Sequence, residues 1–206
     1  MTVNPDYKVI AKECAGEYKE KGSTFTAFAY PAVSREAAEA RVKELKKNHP
    51  GAVHVCSGYV IGFENPIKRA NDDGEPSNSA GSPILNQIEA AKLHNTAIAV
   101  VRYYGGVKLG VSGLINAYKT AAAMALENGS VRTLRRVAVY KLKTDYTRLG
   151  TIERLLEQLN ATVTGRDFMQ EVKLEFFVSI GKCDALEKAF EPYPDDELIK
   201  SKECIF

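Results

Sequence analysis

Glycines and cations crowd one junction of this chain, between a buried strand pattern and a long helix pattern. An apolar, β-branched run ends at Arg102, the sequence GGVKLG follows at 105–110, and a helix is predicted from Val111. A turn of this kind presents backbone N–H groups and the positive end of the helix dipole to an anion. The sequence matches neither a P-loop nor G-x-G-x-x-G, so we expect an anion site but not a dinucleotide site.

Side chains around this turn determine what it could bind. Neighbouring strand residues face opposite sides, so one of Tyr103 and Tyr104 can be buried while the other stacks on a nucleobase. Glycines let a ligand approach the backbone closely, although the same glycines could simply allow a tight turn and close helix packing. The candidate residues on this side are Arg102, Tyr103, Tyr104, Gly105, Gly106, Lys108, Gly110 and Gly113.

An acidic loop with the sequence DDGEP at 72–76 precedes this junction. Its carboxylates could bind Mg²⁺ or act as acid and base, and His54 in the preceding strand could face the same cleft. They could equally pair with Arg102 or cap the next helix. Too few ligands converge for a metal site, so structural pairing is favoured, and neither a metal nor a cofactor is expected. The loop candidates are Asp72, Asp73 and Glu75.

Apolar periodicity predicts the elements that position these residues. Strands are predicted over 7–20, 24–30, 52–63 and 96–104, with a long loop over 64–80. Three helices are predicted between or after these strands. The first runs from an N-cap at Ser34 to Lys47, the second starts at the N-cap Ser82 followed by Pro83, and the third covers 111–128 with Gly129 as its C-terminal glycine.

A second unit is predicted after a boundary near 130–136. A strand over 137–144 is followed by a helix with apolar residues at Leu149, Ile152 and Leu156, and then by a hairpin over 161–166 and 171–180. A helix from Cys183 and a strand over 198–205 complete the unit. The order βαββαβ is that of a ferredoxin-like fold.

Bulk composition is that of an ordinary soluble globular protein. Of 206 residues, 45% are hydrophobic and 26% are charged, and no apolar run has the length of a membrane span. The first 21 residues have no leader pattern, and the four cysteines form neither a C-x-x-C pair nor a metal-ligand spacing. We therefore expect a cytoplasmic protein with reduced thiols and no membrane partner.

Charge is distributed unevenly along the chain. Residues 100–148 contain nine basic and two acidic residues, whereas residues 167–206 contain five basic and ten acidic residues. A basic middle suggests a surface that attracts anions such as nucleic acid. The alternative is that both segments are ordinary solvated surfaces.

Three stretches resemble one known family. The sequences DDGEPSNSAGSPIL at 72–85 and VVRYYGGVKLGVSGLINAY at 100–118 resemble the signature of the YigZ/IMPACT family. The sequence VAVYKLKTDYTRLGTIERLLEQLNATVTGRDF at 137–168 resembles the small C-terminal domain of its bacterial members. The resemblance covers nearly the whole chain.

This resemblance implies an α+β protein of two domains, residues 1–132 and 137–206. The first would be similar to the second domain of a small-subunit ribosomal protein. The second would be ferredoxin-like, similar to the last domain of elongation factor G. It also implies that the acidic loop belongs to the functional cleft. Eukaryotic relatives regulate translation, but their C-terminal architecture differs, so their partner is not transferred to this chain.

Two functions from different classes follow. The leading hypothesis is a protein that binds RNA or the ribosome and regulates translation, with a phosphate-binding cleft at the glycine turn and no catalytic residue. The alternative is an enzyme acting on a small phosphorylated or nucleotide ligand. The sequence does not support a peptidase activity, because it contains no nucleophile–base pair and no metal-binding motif. The sequence leaves the RNA, any reaction and the oligomeric state open.

Overall fold

The computed structural model describes residues 6–205, and the chain divides into two compact units. One unit covers residues 8–133, and the other covers residues 134–205 together with residues 6 and 7. No helix in this described range has both the length and the apolar character needed to cross a bilayer.

The first unit is built on an antiparallel sheet with three helices. Its strands, β2 to β6, lie in the order β2-β3-β6-β4-β5. The strands are β2 (Cys14–Glu20), β3 (Ser23–Pro31), β4 (His54–Ile61), β5 (Ile67–Asn71) and β6 (Thr96–Tyr103), preceded in the chain by β1 (Asp6–Ile10), and the helices are α1 (Arg35–Asn48), α2 (Gly81–Ala90) and α3 (Gly110–Glu127).

Both faces of this sheet are covered, which explains the continuous apolar run of β6. Ile98 and Val100 pack with residues of α2 and α3 in one hydrophobic core, whereas Ala97, Ala99 and Val101 pack with α1 in another. Successive strand residues point to opposite faces, so a central strand covered on both sides has no polar alternation. The sheet with its helices forms three layers, and the start of β4 lies beside the end of β6.

The second unit is ferredoxin-like, as predicted. Its elements are β7 (Val131–Thr144), α4 (Leu149–Gln158), β8 (Thr162–Phe168), β9 (Val172–Ser179), a 3₁₀ turn (Ile180–Lys182), α5 (Cys183–Phe190) and β10 (Glu197–Ile205). The strand order β10-β7-β9-β8 with antiparallel pairing places α4 and α5 against a separate core. The sheet also takes in β1, which like β7 spans the boundary between the units. The α+β fold of two domains is therefore confirmed.

Three predicted element boundaries are wrong. The single strand over 7–20 is two strands, because Ala11 donates its backbone N–H to Ser130 and the chain then joins a different sheet. The loop over 64–80 contains β5, an edge strand whose five residues are all exposed and so lack apolar alternation. The boundary segment 130–136 is largely strand, since β7 begins at Val131.

Helix ends were predicted with mixed success. Ser34 caps α1 as expected, accepting a 3.2 Å hydrogen bond from the N–H of Ala37. Ser82 is not the cap of α2, because this helix begins at Gly81. The carboxylate of Asp72 accepts from the N–H groups of Ala80 and Gly81 instead. Gly129 does not have positive φ; a Cβ there would lie 2.7 Å from the sulfur of Cys14, so the glycine serves close packing instead.

Candidate functional site

Four segments of the first unit meet around a pocket of about 400 Å³. They are the start of β4, the acidic loop, the end of β6 with the glycine turn, and the first turn of α3. The lining residues are Val53, His54, Glu75, Pro76, Arg102, Tyr104, Lys108, Leu109, Gly110, Val111 and Leu114.

A buried ion pair forms one wall of this pocket. Arg102 Nη1 donates to Glu75 Oε1 at 2.5 Å, and both side chains are at least nine-tenths buried. The Nε atom of Arg102 is buried without a hydrogen-bond partner in the described part of the chain. The guanidinium therefore has one buried donor that is not satisfied within this part of the chain.

Tyr118 of α3 also binds Glu75. Its hydroxyl donates to Glu75 Oε1 at 2.7 Å and lies 3.3 Å from the sulfur of Cys56. Burial, the largest cause, raises the pKa of Tyr118 far above its usual value, and the contacts with Cys56 and Glu75 raise it further. The hydroxyl therefore stays protonated, which lets it donate to the carboxylate and fix its position.

His54 lies opposite Arg102 in the β4–β6 register, on the face of the sheet that carries α3. Its Nδ1 is 2.8 Å from the carbonyl oxygen of Asp73. A carbonyl can only accept a hydrogen bond, so Nδ1 carries a proton and the neutral ring has its lone pair on Nε2. Nε2 is 4.0 Å from Glu75 Oε2 at the pocket.

The turn before α3 and the start of that helix are electropositive. Lys108 is exposed and makes no ion pair with any residue between 6 and 205. The helix α3 begins next to it, and no side chain caps the N-terminus of this helix. The N–H groups of Gly110, Val111 and Ser112 have no hydrogen-bond acceptor in the described chain, as is usual for a first helical turn without a cap.

The rest of the lining is apolar. Val53, Leu109, Val111 and Leu114 line the pocket, and so does Tyr104, a residue that is 48% exposed. The Arg102 guanidinium carbon lies 5.8 Å from the centre of this ring, within the range of a cation–π contact. Tyr104 is therefore positioned and still accessible to a planar ligand.

Glycines of the turn have different roles. A Cβ on Gly105 would lie 1.9 Å from the carbonyl carbon of Gly22, and the N–H of Gly105 donates to Ser23 Oγ at 3.1 Å. Gly106 has φ of +85° with open space around its Cα. Gly113 packs against Leu109, where a Cβ would lie 2.9 Å from the Leu109 Cβ. Of the four candidate glycines, only Gly110 lines the pocket.

Asp72 and Asp73 hold the loop in place and do not line the pocket. Asp72 accepts from the N–H groups of Asn78, Ala80 and Gly81 at 2.8–3.0 Å, and so caps both the loop and α2. Burial raises the pKa of Asp72, but these three N–H donors lower it by more, and the net pKa lies below its usual value. Asp73 accepts from the N–H of Val55 at 2.7 Å.

Tyr103 is also outside the pocket. It faces α1 on the other side of the sheet, where its hydroxyl lies 2.8 Å from His49 Nδ1. No group of three or more His, Cys, Asp or Glu in residues 6–205 is arranged to hold a metal ion.

The structure thus brings together six of the twelve candidate residues: His54, Glu75, Arg102, Tyr104, Lys108 and Gly110. The apolar lining residues were not predicted, because Leu109 and Leu114 are indistinguishable in sequence from core residues of α3. Pro76 and Val53 carried no signal for a pocket either. Their place follows only from the approach of the acidic loop and β4 to the start of α3.

Comparisons with known proteins agree with this architecture. Residues 21–126, more than half of the chain, match the Impact N-terminal domain, and residues 142–191 match a domain of unknown function, DUF1949. The chain is 35% identical over 155 residues to the IMPACT family member YvyE of Bacillus subtilis, an alignment that covers 75% of this chain and 71% of that protein. The chain belongs to the IMPACT family.

Two further matches extend over nearly the whole chain. An IMPACT family member of Haemophilus influenzae is 29% identical over 198 residues, which is 95% of this chain and 93% of that protein. The crystal structure of a hypothetical protein has a TM-score of 0.65 and 27% identity, covering 97% of this chain and 99% of that one. The resemblance to the YigZ/IMPACT family is confirmed in both domains.

Proposed function

We propose that this IMPACT family protein binds RNA or the ribosome through a phosphate group seated in the pocket at the start of α3, and that it acts in the regulation of translation. The observation that carries the proposal is that Arg102, Lys108 and the uncapped start of α3, at Gly110 and Val111, line one pocket. A helix N-terminus beside a flexible cation and a guanidinium is a common way to bind a phosphate.

Electrostatics support this proposal. Glu75 offsets the charge of Arg102, so the pocket retains a positive charge from Lys108 and the partial charge of the α3 N-terminus. The exposed ring of Tyr104 beside these groups offers a stacking surface for a base. The role in translation rests on the resemblance to the IMPACT family, which implies regulators of translation among its eukaryotic members.

The test is a salt titration of single-stranded RNA binding to the full chain. The logarithm of affinity should fall linearly with the logarithm of salt concentration, by about 0.7 per phosphate contact. Lys108→Ala should lower that slope by about one contact and weaken all sequences alike. Lys119→Ala is the matched control, because this exposed lysine lies on α3 but does not line the pocket.

Tyr104→Ala separates stacking from charge. It should weaken RNA binding by about 1–3 kcal/mol with little change in the salt slope. A thermal melt accompanies each variant, since Tyr104 also contacts Arg102. If the intact protein binds neither RNA nor purified ribosomes at low ionic strength, the proposal is wrong.

A second candidate function is an enzyme acting on a small phosphorylated ligand. The feature that favours it is His54, whose ring is oriented by the Asp73 carbonyl and whose Nε2 is available at the pocket. Phosphate release from a panel of nucleotides should then be detectable and should be lost in His54→Gln. No release by the unmodified protein would exclude this candidate for the panel used.

A further inference from the structure

We infer that the pocket takes a single nucleotide carrying a terminal phosphate monoester, and not an internal segment of a nucleic-acid strand. The inference rests on the proposed phosphate site and names its ligand class. Two sources share this chemistry: a free nucleoside monophosphate and the phosphorylated end of an RNA.

The number of cations limits the number of phosphates. Arg102 and Lys108 are the only Arg or Lys residues that line the pocket, and Arg102 is already paired with Glu75. A groove that follows a nucleic-acid backbone needs a succession of positive groups along its path. This pocket has one such cluster, which suits one phosphate.

The rim of the pocket does not offer a path for a nucleic-acid backbone. Val111 lines the pocket, Ile115 follows it one turn later on α3 and Val107 precedes the helix; they are 53%, 39% and 52% exposed. Exposed apolar side chains offer nothing to a phosphodiester, whereas they can cover the face of a base or a ribose. The surface next to the phosphate site is therefore suited to the uncharged part of a nucleotide.

The donor set favours a monoester over a diester. Lys108 and the N–H groups of Gly110 and Val111 at the start of α3 supply more donors than the two free oxygens of a phosphodiester can use. A phosphate monoester has three acceptor oxygens and a charge of about −1.5 to −2 at pH 7. It therefore satisfies the donors of Lys108 and of the α3 start more completely.

Pocket size and lining fit one base with its sugar. A phosphate alone would leave most of the roughly 400 Å³ empty. The remainder is bounded by Val53, Leu109 and Leu114, with Tyr104 exposed at the side for stacking. A nucleoside attached to the phosphate would fill this apolar part and exclude water from it.

The experiment compares matched ligands on the full-length chain. Binding is measured by calorimetry for AMP, adenosine, inorganic phosphate, and one short RNA with a 5′-phosphate, a 3′-phosphate or hydroxyls at both ends. We expect at least one phosphorylated end to bind about tenfold or more tightly than the hydroxyl RNA, and AMP to bind more tightly than either adenosine or phosphate.

Variants assign the effect to the pocket. Lys108→Ala should remove most of the preference for the phosphorylated end, while Lys119→Ala should retain it. A melting curve of each variant tests folding, which an exposed lysine should not change. AMP binding as tight as the phosphorylated RNA would also support the inference and would indicate the free nucleotide as the ligand.

Two results have different consequences. If all three RNAs bind equally and AMP does not bind, the single-nucleotide inference is overturned, while the proposed RNA-binding function stands. If no RNA and no ribosome binds but AMP does, the ligand inference stands and the RNA function fails. Equal binding of adenosine and AMP would overturn the phosphate site itself.

Discussion

At the residue scale, Glu75 is the side chain on which the pocket depends. It is one of the few buried charged residues, and it is held by Arg102 and by the Tyr118 hydroxyl. Taking one partner from a buried ion pair leaves an uncompensated charge, which costs far more than loss of an exposed pair. Glu75 therefore stabilises the fold and positions the guanidinium at the pocket wall.

Glu75→Gln should lower the free energy of unfolding by about 3 kcal/mol, because it leaves the buried Arg102 charge without its counterion. Glu89→Gln is the control: Glu89 pairs with Lys68 at 2.6 Å, but both side chains are exposed, so the loss should be below about 1 kcal/mol. Urea unfolding of both variants measures the difference. Equal losses would show that the buried pair contributes no more than a surface one.

At the element scale, backbone packing determines where the turn before α3 lies. Gly105 fits against Gly22 and Ser23 in the tight connection between β2 and β3, a contact no side chain at position 105 would allow. This contact and the hydrogen bond from Gly105 to Ser23 hold the chain after β6 against the β2–β3 turn. Gly106 needs only its left-handed backbone, since it has open space around it.

Alanine at these two glycines should separate packing from conformation. Gly106→Ala should cost about 1–2 kcal/mol, the usual penalty of a left-handed backbone for an L-residue. Gly105→Ala should cost more, about 3 kcal/mol or above, because its Cβ would overlap backbone atoms that cannot turn away. Denaturant midpoints provide the comparison, and a Gly105→Ala protein as stable as Gly106→Ala would contradict this account.

At the scale of the whole molecule, the chain has separate hydrophobic cores. Two cores lie on the two faces of the first sheet, and a third lies between the sheet and helices of the second unit. All residues that line the pocket belong to the first unit. A domain of this size can bury a sufficient core by itself.

A fragment of residues 8–133 should therefore fold alone. It should show a cooperative thermal transition and should retain the ligand binding proposed for the pocket. Circular dichroism and the AMP titration measure these two properties, with the full-length chain as reference. A fragment without a cooperative transition would mean that residues 134–205 are needed to complete the first unit, and the domain boundary would be wrong.

Local periodicity was sufficient for most elements and for the domain order. Several predicted features depend only on residues within a few positions of each other. They are the strand β6, the helix α3, the cap at Ser34 and the βαββαβ order of the second unit, and all were predicted correctly. Strand alternation likewise puts His54 and Cys56 on one face of β4. These features follow from backbone geometry that each segment adopts largely by itself.

Tertiary structure alone decided which candidates form the site. Glu75 and Arg102 are 27 positions apart, and no local pattern distinguishes Glu75 as the partner of Arg102 from Asp72, which instead caps α2. Likewise, alternation requires Tyr103 and Tyr104 to face opposite sides, but only the packing of α1 decides that Tyr103 is the one turned away. The approach of distant segments decides which charges pair, which groups cap a helix and which side chains are buried. That approach depends on the fold of the whole chain and not on any local pattern.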